Sequence, residues 1–274
     1  MKSGESTSPA LRATTFDAHP PAEIAHLVEA VGVRKAKMPP SQALPLAFLA
    51  GAFIAIGAAL FTIVITGTGE VLGVGLTRWV GGISFSIGLV LVIIAGAELF
   101  TGNILITMAW AAGKVSVGQM GANWFLVYLG NLTGALCLAV MVFWAQTYQI
   151  ADGAPLSIAV KIAQGKVALT PDAAFARGVL CNVLVCLAVW LCFAAHSVAG
   201  KVLVIVPPIA AFVALGFEHS IANMFFIPVG MLYGAEGVTI AGLAENLVYV
   251  TLGNVLGGAS VGGVYWLVYL RHEE

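Results

Sequence analysis

The chain has 274 residues, of which 60% are hydrophobic and only 9% charged, with a mean hydropathy of +0.99. A soluble domain carries roughly 25% charged residues, so this composition predicts a polytopic membrane protein. A net charge of -1 with no long Lys/Arg run leaves no electrostatic footprint for nucleic acid.

Residues 1–20 are polar and rich in Ser, Thr and Pro, which reads as disorder. They lack the basic-then-apolar order of a signal peptide, so the first apolar run is expected to be a mature span. Pro20-Pro21 can open a helix whose Ile24, Leu27, Val28 and Val31 share one face. Arg34, Lys35 and Lys37 follow, suiting a helix C-terminus and anionic lipid headgroups. The segment reads as a surface helix, with a movable plug beneath a pore as the alternative.

Six apolar blocks come next, near 45–66, 80–112, 118–147, 172–197, 202–233 and 243–270. An even number returns both termini to one side. The positive-inside bias makes that side cytoplasmic, with Lys2, Arg12, Arg34, Lys35, Lys37, Lys114, Lys201 and Arg271 inside and Arg78, Lys161, Lys166 and Arg177 outside. The expected organisation is a cytoplasmic N-terminal tail with an amphipathic helix over 1–40, a six-span channel domain over 41–271 and a cytoplasmic end over 272–274. Thr170-Pro171-Asp172 supplies an N-cap and a first-turn proline to the fourth span. Cys137, Cys181, Cys186 and Cys192 all lie in apolar runs without a C-x-x-C spacing and read as small buried hydrophobes, not as metal ligands or a disulfide.

The second and fifth blocks exceed the roughly 20 residues that one crossing needs. Each carries a polar interruption: Gly96-Ala97-Glu98-Leu99-Phe100-Thr101-Gly102-Asn103 and Gly216-Phe217-Glu218-His219-Ser220-Ile221-Ala222-Asn223. Ionisable groups at bilayer depth cost about 2.5 to 3.5 kcal/mol each and by default line a pathway or meet a partner. Gly96 and Gly102, and Pro207, Pro208, Gly216 and Pro228, make broken helices plausible in both blocks. Non-helical backbone at this depth must be buried in protein or line an aqueous cavity.

The interruptions belong to a repeat. Asn123 and Asn131 precede and follow an apolar heptad in the third block as Asn246 and Asn254 do in the sixth. The two Glu lie 120 residues apart and the two later Asn 123. Three spans per half is an odd number, so the halves must cross in opposite directions, and a substrate site is expected near the midplane where the broken helices meet. Gly130-x-x-x-Gly134 and Gly253-x-x-x-Gly257 read as close helix packing, with Asn131 and Asn254 bonding across it.

Ala97-Glu98-Leu99-Phe100-Thr101-Gly102, Arg177-Gly178-Val179-Leu180-Cys181-Asn182, Gly216-Phe217-Glu218-His219-Ser220-Ile221-Ala222-Asn223-Met224 and Thr251-Leu252-Gly253-Asn254 resemble the signatures of the formate/nitrite transporter family, in family order, from about Pro20 to the C-terminus. The resemblance implies an all-α, aquaporin-like six-span protomer in the bacterial inner membrane, assembled as a homopentamer with one pore per subunit. It implies that His219 is the pore histidine, with Thr101 facing it and Asn182 nearby. Leu89 and Phe212 would form two apolar constrictions and Lys166 the basic residue of the outer funnel. The implied substrate is a small monovalent anion, formate by preference, with nitrite, hydrosulfide or another small monocarboxylate as the alternative. No cofactor or metal is expected.

From the residues themselves, an imidazole with an ordinary pKa near 6.5 can exchange a proton with a small weak acid. A bare anion facing the two apolar constrictions that the resemblance implies meets a large desolvation barrier and its neutral acid a much smaller one. The expected mechanism is therefore protonation of the anion within the pore, with a plain anion channel around a cationic His219 as the alternative. Glu98 and Glu218 are expected to accept bonds from backbone N–H groups freed at the breaks, with Asn103 and Asn223 supporting them. Thr101 and Asn182 orient His219 or substrate, or satisfy loop backbone. The rival classes are weaker. Bis-histidine haem in a redox subunit needs a second deep His, an enzyme needs a catalytic spacing that is missing, and a water or glycerol channel would carry Asn-Pro-Ala at the breaks.

Overall fold

The computed structural model describes residues 18–272, so most of the expected disordered start and the last two residues lie outside the described chain. Helix α1 (Pro21–Ala36) precedes α2 (Pro40–Ile65), α3 (Thr68–Phe85) and α4 (Ile87–Ala95), then the short α5 (Phe100–Asn103) and α6 (Ile106–Ala111) and the long α7 (Val117–Trp144). The second half runs α8 (Ile150–Val167), α9 (Pro171–Ala194), α10 (Val198–Leu215), α11 (Ser220–Leu232) and α12 (Ile240–Tyr269). Six segments are long and apolar enough to cross a bilayer: α2, α3 with α4 as one span, α7, α9, α10 and α12. The second crossing begins at Thr68, earlier than the expected 80, because Gly67 in the left-handed region turns the chain directly out of α2.

The most extensive helix pairs are α9 with α12 and α2 with α7. Small residues make them possible. A Cβ on Gly134 would strike the Phe48 carbonyl and one on Gly257 the Val179 carbonyl, so each backbone lies directly against its neighbour.

Both broken helices stop where the sequence places the interruption. Gly96 (φ 82°) caps α4 and Gly216 (φ 72°) caps α10, each in the left-handed region that a side chain resists. The prolines are not the breakers: α10 continues through Pro207 and Pro208, and α11 through Pro228. A proline inside a helix in water costs about 3 kcal/mol or more, but at bilayer depth the remaining backbone has no water to bond instead.

Helix α1 is part of the bundle. Its Ile24, Ala25 and Val28 are buried in a cluster with Leu105, Met108 and Trp190, and buried Glu29 pairs with Lys114 at 2.5 Å. Two smaller expectations are corrected. Cys137 is exposed on the outward face of α7 while the other three cysteines are buried. Thr170 occupies the N-cap position before Pro171 but makes no capping bond with its side chain.

Candidate functional site

A helix that stops at bilayer depth leaves amides and carbonyls that no water can satisfy. The same solution appears in both halves. The Glu98 N–H donates to the Leu46 carbonyl and the Glu218 N–H to the Arg177 carbonyl, each at 3.2 Å. Asn131 Oδ1 accepts from the Phe100 N–H at 2.9 Å, while its Nδ2 donates to the carbonyls of Ala47 and Glu98. Asn254 Oδ1 likewise accepts from the Ser220 N–H at 2.9 Å, and its Nδ2 donates to the carbonyls of Gly178 and Glu218. The expected bonds of these asparagines across the packed helices are thus present, and they serve the breaks as well.

The carboxylates do something other than expected. Glu98 accepts from Lys35 Nζ at 2.8 Å and from Asn103 Nδ2 at 2.7 Å. Glu218 accepts from Lys166 Nζ at 2.9 Å and from Asn223 Nδ2 at 2.7 Å. Asn123 and Asn246 close the two chains by accepting from Asn103 and Asn223 and donating to the carbonyls of Lys35 and Lys166. The physical reason is charge: a neutral amide is enough for loop backbone, whereas a buried carboxylate needs a cation. Lys35, expected at the headgroups, is thereby drawn inward, and Lys166, on α8, is its counterpart. Lys35 and Lys166 lie 131 residues apart, as do Leu46 and Arg177.

Two cavities approach this centre from opposite ends. The one beside α1 has a volume of about 390 Å³ and is lined by Lys35, Glu98, Leu99, Leu46 and Leu89 among others. The other, of about 250 Å³, is lined at matching positions by Lys166, Glu218, His219 and Arg177, together with Phe212 and Arg78. Leu89 and Phe212 are 2% and 4% exposed, one on each cavity, which is where two apolar constrictions would stand. Phe212 stacks on His219 with ring centroids 6.0 Å apart and meets Phe85 edge-on.

His219 lines the second cavity, and its Nε2 lies 2.9 Å from Oγ1 of Thr101, which lines neither; both residues are buried. His219 is also the N-cap of α11: its Nδ1 accepts from the Ala222 N–H at 3.1 Å. That bond fixes the tautomer. With Nδ1 accepting, the hydrogen of a neutral ring sits on Nε2 and is donated to Thr101, which leaves the threonine hydroxyl hydrogen for a third group. Asn182 lines neither cavity. Its Nδ2 donates to the carbonyls of Thr101 at 3.2 Å and Asn254 at 2.7 Å, and Cys186 Sγ also donates to the Thr101 carbonyl. Asn182 thus holds the backbone of Thr101, while its Oδ1 is buried without a hydrogen-bond partner among the described residues.

A sequence model of the formate/nitrite transporter family matches residues 22–268. The chain belongs to the formate/nitrite transporter family. The formate channel FocA of Escherichia coli K12 is 40% identical over 278 residues, covering 94% of this chain and 97% of its own. A probable formate transporter of Methanothermobacter thermautotrophicus is 42% identical over 268 residues, covering 92% and 97%. Among solved structures, a pentameric formate channel with formate bound superposes with a TM-score of 0.79 at 39% identity, covering 85% of this chain and 98% of that one. A second structure, described as an FNT family ion channel, gives a TM-score of 0.82 at 33% identity over 89% and 98%. As a formate/nitrite transporter family member the chain is a transport protein and not an enzyme.

Of the residues singled out in the sequence, the structure brings Thr101 against His219 and stacks Phe212 on His219, places Leu89 on the other cavity, and joins Lys166 to Glu218 in an ion pair that the sequence did not suggest. Reading the sequence also missed Lys35 as the partner of Glu98. The signal was present: Lys35 precedes Pro40 by the same five residues that separate Lys166 from Pro171.

Proposed function

We propose that this protein conducts small monovalent anions, formate foremost, across the bacterial cytoplasmic membrane as a multi-pass homopentamer with a pore in each protomer. The relatives named as formate channels and the pentameric, formate-bound neighbour support this reading. The grouping of Lys35, Lys114 and Lys201 at the α1 end supports both termini being cytoplasmic.

The observation that carries the mechanism is the buried Thr101–His219 hydrogen bond, with Leu89 lining one cavity and Phe212 and His219 the other. A carboxylate leaving either cavity loses hydration against Leu89 or Phe212. Between those side chains stand the Thr101 hydroxyl and the imidazole, so a proton acquired there removes the charge that makes the second constriction costly. Transport is then weak-acid movement, electroneutral because the anion and its proton travel together. Nitrite fits the same layer as an anion of similar size.

The test is formate and nitrite flux into proteoliposomes over about pH 5 to 8, with current and internal pH recorded together. Wild type is compared with His219→Asn, since asparagine can keep the N-cap bond to Ala222. Wild-type flux that carries protons with little current, turned into anion current by the substitution, is the expected result. Equal anion currents from both proteins would reduce His219 to a structural cap.

A further inference from the structure

The two cavities are lined at matching positions, so their differences isolate what is specific to one face. In both, the lysine charge is matched by a glutamate: Lys35 by Glu98 and Lys166 by Glu218. An ion pair so closed is a poor capture site for a free anion, because its cation already holds a carboxylate. The cavity remote from α1 has more. Arg177 and Arg78 both line it, and among the described residues neither guanidinium has a carboxylate partner. Arg78 Nη1 only donates to the Ala214 carbonyl at 3.3 Å, at the C-terminal turn of α10. The Arg177 backbone carbonyl accepts from the Glu218 N–H, and among the described residues its guanidinium makes no hydrogen bond or ion pair. At the position matching Arg177, the α1-side cavity has Leu46; outside its ion pair that cavity is lined by one further cation, Lys201, and by no arginine.

We propose that Arg177 and Arg78, which line one cavity, form a guanidinium subsite for capture of small monocarboxylates on the face remote from α1, and that the opposite face, with Lys201 in place of arginine, offers no such fork. The proposal rests on the channel reading above. A guanidinium presents parallel N–H donors that fit both oxygens of a carboxylate. A concave site with unpaired charge of one sign on low-dielectric walls concentrates its counter-ion, an effect that salt weakens. Lys166, the residue the family resemblance assigns to the outer funnel, then serves the helix break through Glu218, while the arginines collect the substrate. The two faces consequently differ in how they present cations to a carboxylate although the scaffold is symmetric.

Formate uptake is measured with the full chain in right-side-out and everted membrane vesicles, at low salt and at about 0.5 M salt. Wild type is compared with Arg177→Leu, Arg177→Lys and Leu46→Arg. The leucine variant copies what the other cavity already tolerates. It is expected to raise KM for the face remote from α1 by about three- to tenfold and to flatten the salt dependence there, with the α1 face unchanged as the control for folding. Arg177→Lys retains most of the salt dependence, and Leu46→Arg increases it on the α1 face. An unchanged KM in Arg177→Leu, or equal shifts on both faces, overturns the subsite. A wild type that carries no formate from either face overturns the channel reading itself.

Discussion

Thr101 Oγ1 and His219 Nε2 meet at 2.9 Å, and neither residue has a polar counterpart in the other half. Ile221 stands 120 residues after Thr101, and Leu99 stands 120 residues before His219. The lysine–glutamate–asparagine chains recur in both halves, and this bond occurs once. What recurs holds broken helices together at bilayer depth. What occurs once is a polar contact at bilayer depth with no counterpart in the other half.

Thr101→Val keeps the shape of the side chain and removes its hydroxyl, leaving the His219 Nε2 hydrogen without its acceptor. A buried donor left so costs about 1–3 kcal/mol. Formate flux should fall at least about tenfold while the protein remains folded, a loss of step-specific stabilisation of about 1.4 kcal/mol or more. Flux in proteoliposomes beside a melting curve checks it; undiminished flux would remove Thr101 from the pathway.

The Lys166–Glu218 pair is a structural clamp, with side chains only 14% and 7% exposed. Removing one partner of such a pair strands a buried charge and costs about 3–5 kcal/mol. Lys166→Met and Glu218→Gln should each lower thermal stability sharply, and the double variant should recover much of the loss. Additive losses in the double-mutant cycle would contradict the clamp.

Lys35 ties α1 to the first break through both Glu98 and Asn103. In Lys35→Met the α1 amides should exchange hydrogen faster than in wild type, while those of α8, held by Lys166, should not. Exchange that is unaltered over Pro21–Ala36 would mean that the apolar cluster around Ile24 and Val28 alone docks the helix.

Gly134→Ala places a methyl group against the Phe48 carbonyl, whereas a Cβ on Gly263 meets nothing within 4 Å. The first should separate α2 from α7, with reduced yield and melting temperature, and Gly263→Ala on α12 should be neutral or slightly stabilising. Comparable melting temperatures for the two variants would refute the packing role of the motif.

Much of this was legible in the chain. Apolar runs of spanning length fixed the number of crossings, and the recurrence of Glu with Asn five residues on located both breaks, because a bilayer admits such residues only at a cost that demands a partner. Left-handed backbone at Gly96 and Gly216 followed from residue type, whereas the prolines misled, since their effect depends on whether water can replace the lost bond.

Partners were less visible. Nothing local to Lys35 says that it turns inward to Glu98, since the same basic cluster at a helix end suits lipid headgroups equally well. Nothing local to Glu218 says that its oxygens meet Lys166 and Asn223 rather than freed amides. Composition, periodicity and the spacing of polar residues in apolar runs determine the membrane class, the spans and the breaks, because these depend on the cost of each residue in lipid along one dimension. Which cation neutralises which carboxylate, that Thr101 meets His219, and that Arg177 faces a cavity where Leu46 faces the other were decided only by tertiary structure. They depend on distances between groups that the chain separates by about a hundred residues or a whole helix.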